Sequence, residues 1–168
     1  MAQTLPIPAP SSPGPHLLPA TTHSYLIRAT ESLREAVLSR EPATRYACAH
    51  VAALRAAAAL LSARARPATS RRPQRNAWVL LAEVAPELGE WATYFAAGAA
   101  KRAAAEAGST RAVTEREADD LVRDADRFLA LVEQGLGLMP HADVLEIAFG
   151  LDEQPDAGSP GVVRRAAG

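Results

Sequence analysis

The chain has 168 residues, a formal charge of −1, and 48% apolar but only 5% aromatic residues, which fits one ordinary domain with room for flexible ends. Most of the apolar content is alanine, the best helix former, so the composition favours closely packed helices over a β-sandwich, and the near-zero charge excludes a molecule that attracts nucleic acid over its whole surface. Cys48 is the only cysteine, so neither an intrachain disulfide nor a CxxC zinc site can form.

Residues 1–20 hold six of the thirteen prolines. Proline lacks a backbone donor and blocks helix interiors, so this arm is expected to be disordered. It has neither a basic n-region nor an apolar h-region, so no signal peptide is expected.

The first helix is predicted from about Thr22 to Arg40, where Leu26, Ala29, Leu33, Ala36 and Val37 recur at helical spacing and Pro42 supplies the stop. The second is predicted from Ala43 or Thr44 to just before Pro67. His50 and Arg55 interrupt its apolar stretch, so no membrane span is expected and a cytoplasmic location follows by elimination.

Asn76 is a good N-cap residue and opens the third predicted helix. That helix runs to just before Gly108, with a kink or break near Ala85 imposed by Pro86. The fourth begins at Thr114, because Thr114-Glu115-Arg116-Glu117 fits the capping box. Its apolar stripe is the cleanest in the chain: Ala118, Leu121, Val122, Ala125, Phe128, Leu129, Val132 and Leu136.

Residues 141–150, HADVLEIAFG, form an apolar island. It is either a short fifth helix docked on the bundle or a peptide motif for a protein partner. Residues 152–168 are polar, carry Gly and Pro, and are expected to be disordered. The expectation is an all-α bundle of four to five helices over 21–150, with disordered tails at 1–20 and 151–168.

Five arginines, Arg64, Arg66, Arg71, Arg72 and Arg75, fall within twelve residues around the link between the second and third predicted helices, with no acid among them. Such a cluster can grip a phosphate backbone without reading its sequence, and the competing reading is a solvated loop paired with acids nearby. Residues 115–133 supply seven acids.

Arg45 and His50 are the candidate catalytic pair. Histidine can move a 2′-hydroxyl proton near neutral pH, and arginine can hold a charged phosphorane. Five helical residues turn about 140° around the axis, however, so the two side chains do not share one face. His50 falls on the apolar side, as a core histidine would.

No metal site is expected. Asp119, Asp120, Asp124 and Asp126 read as a solvated face, and His141, Asp143 and Glu146 as caps of a short helix. Trp78, Trp91, Tyr94 and Phe95 read as core anchors. No phosphate loop, HExxH or GxSxG is present, and no cofactor is expected.

Three segments taken together, RYACAHVAALRAAAALLSARARP, NAWVLLAEVAPELGEWATYFAAGAAKRAAAEAG and VTEREADDLVRDADRFLALVEQGLG, resemble a branch of the HEPN family (higher eukaryotes and prokaryotes nucleotide-binding domain) found in GC-rich bacteria. The resemblance covers roughly residues 25–138. It implies a helical bundle that binds RNA or a nucleotide, often as a homodimer, and in many members a metal-independent ribonuclease of stress or toxin–antitoxin systems. The family's nuclease pattern is an arginine, four to six residues, then a histidine, and only Arg45 and His50 match it. Tyr46 follows Arg45 where active nucleases commonly carry a polar residue. The pair also opens the second helix, whereas the family's motif sits late in the bundle. The resemblance therefore carries the fold and the link to RNA further than it carries cleavage; a non-catalytic protein-interaction module is the alternative.

Overall fold

The computed structural model describes residues 17–64 and 76–144. Among these residues there are five α-helices: α1 (Ala20–Leu38), α2 (Pro42–Arg64), α3 (Ala77–Val84), α4 (Gly89–Glu106) and α5 (Glu115–Gly135). No strand occurs among the described residues. The all-helical bundle expected from the alanine-rich composition is the fold.

The helix ends follow local chemistry. α1 stops at Leu38, and Pro42 is the first residue of α2, a position where the missing N–H would have no partner anyway. At α3, the Asn76 side chain accepts from Trp78 N at 2.9 Å. Pro86 divides the predicted third helix: α3 ends at Val84, Pro86–Leu88 form one 3-10 turn, and α4 begins at Gly89. At α5 both halves of the capping box are present: Glu117 N donates to Thr114 Oγ1 at 3.2 Å, and Thr114 N donates to Glu117 Oε2 at 2.9 Å.

α2 is the central element and packs on α1, α5, α4 and α3. Its alanines explain this. Ala49, Ala52, Ala53, Ala56, Ala57 and Ala59 are all buried, and small side chains let neighbouring axes approach on several sides, as in a helix that is apolar all round. α2 is also long and apolar enough to cross a membrane by length and composition, the same property that lets it serve as the core helix. α5 buries one stripe, from Ala118 through Leu121, Val122, Ala125, Phe128 and Leu129 to Val132.

The aromatic centre lies where α3, α4 and α5 meet α2. Trp78 and Phe95 stack with centroids 5.2 Å apart, and Phe95 meets Phe128 at 5.1 Å. Trp78 and Phe95 are buried, as expected of core anchors. Tyr94 is a correction to that expectation: it is exposed and donates its hydroxyl to Asp124 Oδ2 at 2.8 Å, tying α4 to α5.

Residues 65–75 and 145–168 lie outside the described residues. So do Arg66, Arg71, Arg72 and Arg75 of the arginine cluster, most of the 141–150 island, and nearly all of the N-terminal arm.

Candidate functional site

The first turn of α2 places Arg45 over the turn that leaves α1. Carbonyls just beyond a helix end lack intrahelical partners. Arg45 supplies them: its Nε donates to Ser39 O at 3.1 Å and its Nη2 to Arg40 O at 3.3 Å. Its Nη1 is ion-paired with Asp119 of α5. Every guanidinium nitrogen is therefore committed, and the side chain is 17% exposed.

His50 lies one and a half turns further along α2, in a different environment. It is 1% exposed and stands edge-on to Trp78 and Phe95, with ring centroids 5.9 and 6.0 Å away. Nε2 is 2.8 Å from the Phe95 carbonyl. A carbonyl only accepts, so Nε2 carries the proton and Nδ1 is left as a bare acceptor. Nδ1 is buried and has no partner among the described residues. Burial pushes the imidazole below its usual range, although the bond to Phe95 opposes this. His50 is thus neutral near pH 7.

Gly98 of α4 stands against this site. A Cβ there would come within 2.8 Å of Tyr46 Oη and 3.4 Å of His50 Cδ2. The glycine is what allows α4 to cross α2 at that level. A small cavity of about 240 Å³ opens here, with Tyr46, His50, Gly98 and Lys101 in its wall. Lys101 is ion-paired with Glu117.

A larger groove of about 360 Å³ lies at the other side of Arg45, between the α1–α2 turn and the start of α5. Arg40, Arg45, Asp119 and Arg123 line it, with Val37, Leu38 and Val122 as its apolar part. Arg45 and His50 line different cavities, and none of the partners of either side chain is shared. Sequence spacing flagged Arg45 but missed Arg40, Asp119 and Arg123, which join it only through the packing of α5.

The arginine cluster is described only at Arg64, at the C-terminal end of α2. Arg64 is ion-paired with Glu87 and donates from Nη2 to Gly135 O at 3.0 Å. It staples α2 to the 3-10 turn and to the end of α5, and its hydrogen bond holds the Glu87 carboxyl below the usual range.

The acids of α5 are more than a solvated face. Asp119 holds Arg45, Asp124 accepts from Tyr94, and Asp126 holds His141. His141 is not a helix cap either. Its Nδ1 is 2.7 Å from Glu133 Oε2, its Nε2 is 3.0 Å from Asp126 Oδ1, and its backbone N–H donates to Glu133 Oε2 at 2.7 Å. The two carboxylates, Asp126 first, raise His141 to about 9. No group of three or more His, Cys, Asp or Glu side chains is arranged to hold a metal ion among the described residues.

A family model for SAV_6107-like HEPN domains matches residues 36–133, more than half of the chain, and the protein belongs to that family. The match runs from the end of α1 to near the end of α5 and takes in both Arg45 and His50. Neither the curated proteins nor the solved structures contain a match.

Proposed function

We propose that this chain is an RNA- or nucleotide-binding HEPN domain that holds phosphate without cleaving it. The separation of Arg45 from His50 carries this reading. Metal-independent cleavage needs a proton-moving group within hydrogen-bond reach of the 2′-hydroxyl and a cation on the same phosphate. His50 is enclosed by Trp78 and Phe95, and Arg45 commits three of its five N–H donors to Asp119 and two carbonyls.

Binding draws on arginine, whose fork suits phosphate oxygens. The residues between α2 and α3, Arg66, Arg71, Arg72 and Arg75, supply the backbone grip in this reading. Arg64 anchors the base of that segment, since its guanidinium is already engaged. A cytoplasmic homodimer is the working form in this reading, with sedimentation as its check. A protein-docking role for 141–150 is less well supported, because His141 and Val144 at its start are already taken up by the bundle.

The test is fluorescence anisotropy of a labelled single-stranded RNA at several salt concentrations, with the same RNA run on a gel afterwards. Four phosphate contacts predict a log–log salt slope of about −3 for a single strand. Replacing Arg71, Arg72 and Arg75 together by Ala should remove most of the binding, and the RNA should stay intact. No binding at low salt overturns the RNA reading. Cutting that disappears in a folded His50→Ala variant overturns the non-cleaving part.

A further inference from the structure

We infer that the groove between the α1–α2 turn and the start of α5 is a site for one nucleoside phosphomonoester, with Arg40 and Arg123 on the phosphate and the apolar floor under the nucleoside. The inference rests on the phosphate-binding reading above and gives it a location within the fold.

Charge is the first support. Three arginines and one aspartate line the groove. Arg45 neutralises the single aspartate and also the Ser39 and Arg40 carbonyls that would otherwise repel an anion. The side chain of Arg40 makes no hydrogen bond or ion pair among the described residues. Arg123 is half exposed and shares Asp120 with Arg116, which is almost fully exposed. Two cations of the lining are therefore free, or shared with an exposed acid, and face an open space.

Size and polarity are the second support. Ligand pockets begin at roughly 300 Å³, so a groove of about 360 Å³ suits a single nucleotide better than a strand. Leu38 is 80% exposed at its edge, an apolar side chain left in water beside Val37 and Val122. An apolar floor with cations at one end matches a base or ribose joined to a phosphate. Asp119, 49% exposed, keeps acceptor capacity for a sugar hydroxyl or an exocyclic amine.

This site is distinct from the arginine segment. Arg64 follows Arg45 by nineteen helical steps, about 28 Å along α2. A backbone-gripping segment and a groove that takes a single phosphomonoester would lie at opposite ends of one helix.

The experiment is calorimetric titration of the whole chain with adenosine 5′-monophosphate, uridine 5′-monophosphate and adenosine. A second titration uses an RNA hexamer with a 5′-phosphate or a 5′-hydroxyl. Either nucleotide should bind, and adenosine should bind at least tenfold more weakly. Arg40→Ala and Arg123→Ala should each weaken binding by roughly tenfold or more, the usual loss for a hydrogen bond to a charged group. Both positions are at the surface, and thermal melting checks that each variant stays folded. A preference for the free nucleotide over the 5′-phosphorylated hexamer assigns the site to a soluble nucleotide, and the reverse preference assigns it to an RNA end.

Nucleotide and phosphorylated hexamer binding that is unchanged in both variants overturns the groove as the site. So does failure of all the phosphorylated ligands to bind while the longer RNA still binds in a manner that depends on Arg71, Arg72 and Arg75; the general reading then survives. If no phosphorylated ligand and no RNA binds, both readings fall together.

Discussion

His50 and His141 are both nearly buried, yet one ring is neutral and the other protonated near pH 7. His50 sits among Trp78 and Phe95, with one carbonyl as its partner. His141 sits between Asp126 and Glu133, whose side chains are 14% and 9% exposed. Burial pushes both imidazoles towards the neutral form. At His50 nothing strong opposes it, and the ring is pushed down. At His141 two carboxylates outweigh it, and the ring is pushed up to about 9. Burial sets the charge of His50 and charged partners set that of His141, so a histidine at nuclease spacing is not by itself a proton-transfer group.

The largest effect should come from removing the partner of the two carboxylates. His141→Ala leaves Asp126 and Glu133 close together with little solvent, and breaking such a buried pair costs about 3 kcal/mol. Urea denaturation at pH 7 should show that loss. His50→Ala should cost a similar or slightly smaller amount, about 2–3 kcal/mol, by opening a cavity and removing the bond to the Phe95 carbonyl. If His50→Ala were neutral in stability, the core role given to His50 would be wrong.

The two histidines should also shape the pH dependence in opposite directions. The folded pKa of His141 lies above its unfolded value of about 6.5. Its contribution is therefore complete below pH 6.5 and lost as the pH rises through about 9. The folded pKa of His50 lies below the unfolded value. The unfolded chain then binds the extra proton, and stability declines as the pH falls below about 6.5. Stability should peak near neutrality. His141→Gln should flatten the alkaline limb, and His50→Gln the limb below about pH 6.5. A wild-type curve that still rises from pH 7 to 9 would contradict the His141 clamp.

Gly98→Ala sharpens the account of the wall around His50. The new methyl would meet Tyr46 Oη first, at the far end of a side chain that can swing away, so a cost of about 1–2 kcal/mol is expected. The shift should be visible in the His50 ring signals and absent from those of His141. Equal shifts at both rings would mean that α4 moves as a whole.

Much of the fold was legible in the sequence because its signals are local. The Thr114–Glu117 capping box, the Asn76 cap, the break at Pro86 and the stripe of α5 each need only a few neighbouring residues. The site was less legible, because its contacts span the chain. Arg45 and Asp119 lie 74 residues apart, and nothing in the local pattern of either marks the other. His141 meets Glu133 only because the chain turns back after Gly137, whose positive φ of 75° suits a residue without a Cβ. The enclosure of His50 was partly visible, since its position on α2 falls on the apolar face. The identity of its partner, a carbonyl on α4, was not.

The most direct test of the central claim is an NMR titration of the imidazole rings of the intact chain, with and without single-stranded RNA. The account predicts that His50 stays neutral, with Nε2 protonated, throughout the neutral range and titrates only below pH 6.5, while His141 stays protonated to about pH 9. RNA should leave the His50 signals in place. A His50 ring that titrates near or above pH 6.5, or that moves when RNA is added, would contradict the account and return Arg45 and His50 to consideration as a cleaving pair.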